Sequence, residues 1–421
     1  MDQTVGLFED QGIETQTILC YCAPWAALNK EHGGRSEPEP EAWAEFCRKM
    51  AEHYRGRIRF YEVWNEPDLT GFARFDSKAY AGMMKSAYQA IKAVDPQAQV
   101  MTGGYATLND HPSLSDPLFQ EKTLVLGRGG YDIHAYHEHG PFMHFYRMMT
   151  NRFLPMRERA GVKAPWWANE TALTSAGNNE RPQAEALYKK LIFAWANGAI
   201  GYTWYDLRND GYNPTDGEHN YGMITKDFYP KAVYPAYNAL VQVFRGKEFV
   251  KALPLGELHW GFLFQGDGEF IVGSWSESGV TLPALLLTDA RSVEKIDLMG
   301  NVSEHPINNG QVVLEPAITP FSLRFKGAGK VEFAGNLITP SSAASVIPNE
   351  DWSINVETAN PSQRPAKFDL TLRAPKGILP QTQERSVKIP AGGHRNETFH
   401  FKVSPGFKSS PAEKQAVIIL A

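Results

Sequence analysis

For about the first 246 of its 421 residues the chain alternates short apolar runs with longer segments of helical period. Strands and helices that alternate in this way pack as parallel crossover units, so the pattern predicts an α/β layer built around a parallel sheet. Six units are readable. Strands are predicted over residues 16–24 (QTILCYCAP), 58–65, 98–103, 131–136, 165–170 and 200–206, and helices near 41–55, 76–94, 116–127, 142–160, 181–197 and 231–245. Asp76 and Asp116 stand where N-caps belong, and Gly56, Gly127, Gly161 and Gly198 follow helix ends, where a left-handed residue is wanted. The connections are unequal. Helix-to-strand links such as Arg55-Gly56-Arg57 and Asp95-Pro96-Gln97 are short, whereas residues 25–40, 104–115 and 207–230, which follow strand ends, are long. In parallel α/β proteins the ligand site is made by the loops at the strand C-termini, and that is the face elaborated here. Insertions without function would be spread over both ends.

After about residue 250 the helical period gives way to short runs such as EFIVGSWS, QVVLEP and FSLRF separated by turn residues, as in antiparallel β structure. A second all-β stretch, from about 330, resembles an immunoglobulin-like sandwich that stops in mid-pattern. The domains expected are therefore an α/β domain over 1–248, a β-sandwich domain over 249–328 and an incomplete immunoglobulin-like domain over 329–421.

Two segments carry chemistry. In YEVWNEPD, residues 61–68, Glu66 closes the second strand with Pro67 behind it, so no helix begins before the loop has carried the carboxylate onto the C-terminal face. In WWANETALTS, residues 166–175, Glu170 closes a strand in the same way. Two glutamates at the ends of different parallel strands can converge across a barrel mouth, as retaining glycoside hydrolysis requires, where the carboxyls stand about 5–5.5 Å apart. Aromatic residues make up 12% of the chain, with 10 Trp and 17 Tyr, which suits a ligand that stacks, such as sugar. A net charge of −5 supplies no basic face for nucleic acid. No run reaches the roughly 18 apolar residues of a membrane span. Cys20, Cys22 and Cys47 have neither disulfide nor metal spacing and read as buried thiols.

With Trp64-Asn65-Glu66-Pro67 and Asn169-Glu170 in these places, the chain resembles a clan A retaining glycoside hydrolase, family 39-like or a related member of the clan. The resemblance covers residues 1 to about 330. It implies a (β/α)8 TIM barrel with Glu66 as acid/base on strand 4 and Glu170 as nucleophile on strand 7. It implies an oligosaccharide or polysaccharide substrate and no cofactor or metal. Ionised Glu170 would keep Glu66 protonated by like-charge repulsion, and loss of that charge in the glycosyl-enzyme would free Glu66 to act as base. By the same resemblance Asn65 binds the sugar 2-hydroxyl, Trp204 forms the platform under the sugar and Trp25 is a substrate-side aromatic.

His134 and Tyr136 share a strand face, which the resemblance makes the barrel interior, with the Tyr136 hydroxyl orienting Glu170. His137 and His139 lie just past that strand, within possible reach of substrate. The three histidines 134, 137 and 139 together invite a metal reading that no carboxylate spacing supports. Glu62 has the parity of Glu66 but lies deeper, and is read as a structural carboxylate needing a partner such as an arginine. Tyr212, His219 and Tyr221 are loop candidates for specificity.

Numbering strands from the motif makes residues 16–24 strand 3 and leaves strands 1 and 2 without a counterpart. The expectation is thus a barrel lacking its first two strands, from an internal start, with apolar strand edges exposed and the chain as written unstable or inactive although the complete protein is an active hydrolase. A non-catalytic carbohydrate-binding protein is the alternative reading. The N-terminus, MDQTVGLFEDQGIETQ, shows no targeting signal, and with an internal start expected that leaves secreted or periplasmic localisation open. Oligomeric state is not readable.

Overall fold

The computed structural model describes the chain apart from residues 107–112, 279–280, 343–345, 408–417 and 421. The middle of the long 104–115 connection therefore lies outside the described residues. The chain divides into two compact units, Met1–Tyr229 and Pro230–Ala421. The last helix, expected to close an α/β domain at 248, falls in the second unit.

The first unit runs α1 (Asp2–Asp10), β1 (Gln16–Leu19), α2 (Pro40–His53), β2 (Phe60–Asn65), α3 (Ser77–Val94), β3 (Gln99–Gly104), α4 (Phe119–Leu126), β4 (His134–His139), α5 (Phe142–Met148), α6 (Leu154–Arg159), β5 (Trp166–Ala172), α7 (Glu180–Ala196) and β6 (Ala199–Trp204). Every predicted strand and helix of this unit is present, with the 142–160 segment broken by a π-helical stretch at Met149–Phe153. The strands form two parallel sheets, β1-β2-β3 and β4-β5-β6. Parallel bridges Met101↔Ile133 and Tyr105↔Tyr136 join them into one series of six. Ile18 on β1 and Ile200 on β6, the two outermost strands, are 39% and 55% exposed.

Local chemistry explains the elements. Asp76 accepts hydrogen bonds from the Lys78 and Ala79 amides as the N-cap of α3. Asp116 stands two residues ahead of the expected position: α4 starts only at Phe119, and Asp116 receives the Leu118 amide. Gly56, Gly161 and Gly198 take φ of 72°, 63° and 86°, as a helix stop needs. Gly127 does not, its φ being −83°. From the helix layer the Tyr80 hydroxyl donates to the Val63 carbonyl and accepts from the Gly103 amide, pinning β2 to β3. Phe60, Met101, Ile133 and Ala135, with Trp167 against them, form an apolar layer drawn from four strands.

The second unit begins with α8 (Val233–Phe244), whose Phe244 meets Phe264 edge to face. It continues through β7 (Glu248–Ala252), β8 (His259–Gly266), β9 (Glu269–Ser276), β10 (Ala284–Thr288), β11 (Ser292–Ile296), β12 (Val302–His305), β13 (Gln311–Leu314), β14 (Phe321–Lys326) and β15 (Val331–Asn336). A six-stranded sheet β12-β11-β14-β9-β8-β7 faces a three-stranded sheet β13-β10-β15 across a shared core that includes Leu263, Val272, Leu286 and Leu323. Because β15 pairs with β10, this sandwich extends to Asn336, past the expected boundary at 328. The rest of the unit is β16 (Ile338–Ser342), β17 (Asp351–Ala359), β18 (Ala366–Arg373), β19 (Ile378–Leu379), β20 (Thr382–Ile389), β21 (His394–Val403) and β22 (Ile418–Leu420). They make a second sandwich, a four-stranded sheet over a three-stranded one, around Ile354, Val356, Leu370 and Phe399. Among the described residues no helix is long and apolar enough to cross a membrane.

Candidate active site

At the C-terminal ends of the parallel strands, β2 delivers Glu66 and β5 delivers Glu170. Trp64 and Glu66 both take positive φ, 70° and 43°, in the left-handed region where non-glycine residues are strained. Strain on both sides of Asn65 marks a segment whose side chains are held in place for a purpose. On β5 the device is a bulge. Tyr136 pairs with Ala168 but His137 pairs with Glu170, so Asn169 is an extra residue and Glu170 takes the parity that faces His137.

The result is a compact charged cluster. One carboxylate oxygen each from Glu66 and Glu170 and a ring nitrogen of His137 lie within 4.8 Å of one another. His137 is buried, with Nδ1 3.1 Å from Glu66 Oε1 and 3.8 Å from Glu170 Oε2. Its Nε2 faces Glu62 Oε1 at 3.8 Å. His139 Nε2 lies 3.0 Å from the other Glu170 oxygen. Burial alone would favour a neutral His137, yet the Glu66 hydrogen bond and the charges of Glu170 and Glu62 outweigh it and push the imidazole up to about 9. Burial works against the Glu170 carboxylate too, but the His139 hydrogen bond and the nearby His137 charge hold it below the usual carboxylate range. The spacing of this trio would admit an ion. Nδ1 of His137 is engaged with Glu66.

Glu62 is no isolated structural carboxylate, and its partners are not arginines. Burial raises its carboxyl above the usual range, and His137, the Gly104 amide (2.7 Å), Asn169 and Gln16 (2.6 Å), which favour the charged form, offset this only in part. Sequence reading gave it the parity of Glu66, and the structure brings both to the same imidazole.

His134 and Tyr136 require a correction. They share a face as expected, but the face is the helix-layer side: both rings pack on Phe153, and His134 Nδ1 receives the Arg157 guanidinium at 2.7 Å. Burial and the Arg157 charge keep His134 neutral, far below the ordinary histidine range. Alternation then sends small Ala135 and the two later histidines inward, so the groups beside the carboxylates are His137 and His139. The three histidines do not converge on one point.

Trp204, expected as the platform under the sugar, is largely buried. Its indole is 9% exposed and donates to the Tyr221 carbonyl at 3.2 Å, whereas the neighbouring ring of Tyr205 meets His139 edge on at 5.6 Å. Tyr221 closes the same group, 5.3 Å from His139 and 5.6 Å from Tyr205. Gln183 on α7 reaches the Leu173 and Tyr221 carbonyls and fastens the 207–230 loop against the end of β5. Asn65 approaches the Tyr21 hydroxyl at 3.5 Å, and Tyr21 packs on Trp64. Trp25 stands 74% exposed on the loop after β1 and joins none of these contacts. Tyr21 and Tyr205 escaped the sequence reading; the one usable signal was that both adjoin residues it had marked, Cys22 and Trp204.

Parallel strands with paired glutamates at their C-terminal ends define a clan A glycoside hydrolase, a clan of retaining enzymes. The chain belongs to the cellulase family, glycosyl hydrolase family 5, whose model matches residues 1–211. Its fold is similar to that of a family 39 glycoside hydrolase from the gut symbiont Bacteroides cellulosilyticus WH2, at 21% identity and a TM-score of 0.60, covering 77% of this chain and 70% of that one. A family 30 endoxylanase from Clostridium papyrosolvens C71 is similar at 12% identity and a TM-score of 0.54, covering 77% and 82%. A monomeric β-xylosidase from Caulobacter crescentus CB15 is similar at 14% identity and 0.51, covering 77% and 83%. Among the curated proteins none matches the chain. These likenesses support a TIM barrel followed by a β domain.

Proposed function

We propose that the chain hydrolyses O-glycosidic bonds of an oligosaccharide or polysaccharide by double displacement through a covalent glycosyl-enzyme. The observation that carries this reading is the approach of Glu66 and Glu170 within 4.8 Å, with His137 as third member of the trio. That spacing suits direct attack by one carboxylate and leaves no room for the water an inverting enzyme places between carboxyls about 6.5–9.5 Å apart.

In the first step a Glu170 oxygen bonds to the anomeric carbon as the bond to the leaving oxygen breaks, and Glu66 gives that oxygen its proton. In the second step Glu66 takes a proton from water, whose oxygen attacks the anomeric carbon and releases Glu170 as carboxylate. His139 keeps Glu170 ionised and aimed. Asn65, beside the acid/base, addresses the sugar 2-hydroxyl, and Tyr205 with Tyr221 offers the stacking surface assigned by sequence to Trp204. Trp25, on the loop after β1, is available to a longer chain. The intact carboxylate pair favours catalysis over mere sugar binding. The family's name and the xylan-active neighbours make β-linked glucans and xylans the substrates to try first.

The test is a pair of variants on aryl glycosides. Glu170→Gln should abolish turnover of every substrate. Glu66→Ala should lose about 10²–10⁴-fold in kcat/KM on poor leaving groups and keep most of its kcat/KM on a dinitrophenyl glycoside, whose departure needs no acid, while kcat on that glycoside falls for want of the base and is restored by azide. Equal loss from Glu66→Ala on both kinds of leaving group would refute the assignment.

A further inference from the structure

His137 occupies a position that acid/base and nucleophile roles leave unexplained. It is 1% exposed, and its Nδ1 lies between the two catalytic carboxylates, 3.1 Å from Glu66 and 3.8 Å from Glu170. Its Nε2 is buried with no hydrogen-bond partner and points at Glu62 Oε1, 3.8 Å away. The backbone is cleared for this ring: a Cβ on Gly104 would stand 1.9 Å from Nε2, so only glycine fits there. Glu62 in turn receives two donors, the Gly104 amide and the Gln16 carboxamide, one on each oxygen. Burial raises the Glu62 carboxyl, and donors alone on both oxygens, with the His137 ring beside it, oppose that rise and favour the ionised form.

A neutral ring with its proton on Nδ1 would turn the Nε2 lone pair toward that buried carboxylate, which is repulsive. A ring protonated at both nitrogens meets an anion on each side. We propose that His137 remains an imidazolium throughout the reaction, held so by Glu62 behind it, and that its Nδ1–H faces the negative charge that passes from Glu170 to Glu66 and back. The proposal rests on the double-displacement reading. Before reaction Glu170 is the anion and Glu66 is protonated. When the Glu170–carbon bond forms and the proton leaves with the departing alcohol, Glu170 becomes a neutral ester and Glu66 an anion. Hydrolysis of the ester reverses both changes. The cluster's net charge is therefore the same at each stage, and only the site of the negative charge moves, across the front of one fixed N–H. Such a preorganised donor stabilises both half-reactions without reorganising. His137 touches the reacting groups, whereas Glu62 acts through it as a positioning residue.

The groups that face the ring are Glu62 and Glu66 from β2 and Glu170 from β5, with His139 next along β4. The Cys20 thiol after β1 is kept neutral by burial and by Glu62. None but Glu62 is spare from the chemistry, and it is the group to change.

The experiment is a titration of the full chain with 13C-labelled histidine, the His137 signal being assigned by its loss in His137→Gln, paired with kcat/KM against pH. In the parent protein His137 should stay protonated across the activity optimum. Glu62→Gln should lower its titration by about one unit or more, a tenfold change in proton affinity, and move the basic limb of kcat/KM down with it. In a His137→Gln background Glu62→Gln should move the limb no further. Because His137 faces the moving charge whatever the leaving group, His137→Gln should lower kcat/KM on dinitrophenyl and poor-leaving-group substrates alike, unlike Glu66→Ala. Should Glu62→Gln fail to fold, Gln16→Leu removes one donor from Glu62 and should shift the titration in the same direction by less. A neutral His137 at the optimum, or a Glu62→Gln loss that is uniform in pH with the titration unmoved, would overturn the proposal. Failure of every glycoside to turn over would instead overturn the catalytic reading, since the titration needs no substrate.

Discussion

Glu170 shows how one side chain sets the working range of another. Burial would protonate it, and the His139 hydrogen bond together with the His137 charge keeps it ionised below the usual carboxylate range. A nucleophile must be ionised, so activity should persist on the acid side below the ordinary glutamate value. His139→Phe removes that hydrogen bond, so the Glu170 carboxyl rises and the acidic limb of kcat/KM should move to higher pH, as a pH–rate profile would read. An unmoved limb would mean that His139 does not set the ionisation of Glu170. At this scale the sequence was informative where covalent pattern decides. Trp64-Asn65-Glu66-Pro67 places a carboxylate at a strand end, and Glu66 and Glu170 both stand at the C-terminal ends of parallel strands as expected. It was uninformative about which face is inner. Alternation pairs His134 with Tyr136 but is silent on direction, and the helix layer took the bulky pair against Phe153.

The strands that carry the site are locked at their C-terminal ends by a buried lysine. Lys190 of α7, fully buried, donates to the carbonyls of Glu138, Gly140 and Ala172 and lies 2.6 Å from Glu138 Oε2. Those carbonyls flank His139 and follow Glu170, so one ammonium sets the spacing of β4 and β5 where it matters. Lys190→Met should cost about 3–5 kcal/mol by taking the ammonium from buried Glu138, which keeps only His144 at 2.7 Å on its other oxygen, and adding Glu138→Gln should restore part of it. Thermal unfolding of the three proteins decides this; a loss that the second substitution deepens would contradict it. Periodicity and turn residues located the six strands and the helices between them. The bulge at Asn169 was invisible, because one extra residue in a pairing leaves no mark on a single strand's own pattern. The Lys190–Glu138 pair was equally hidden, since it joins residues far apart in the chain.

Over the whole molecule, the groups proposed to act in the reaction, from Trp25 to Tyr221, lie within the unit Met1–Tyr229. Damage to the second sandwich should therefore lower stability without touching chemistry. Phe399, fully buried in that core, is a suitable probe. Phe399→Ala should cost about 3–5 kcal/mol and leave kcat on an activated glycoside within about twofold, by calorimetry and steady-state rates. The β-rich second half was legible from the loss of helical period, but the limits of its sandwiches were not. β15 belongs with β10 through antiparallel pairing that spans more than forty residues, and local pattern does not encode which edge a strand joins. The central claim is that Glu170 bonds to sugar. Incubation with 2-fluoro glycosides of the β-glucan and xylan series, followed by peptide mapping, tests it most directly. The account predicts one covalent adduct, on Glu170, that forms as activity is lost; an adduct on another residue, or turnover of the same sugar with inverted configuration, would contradict it.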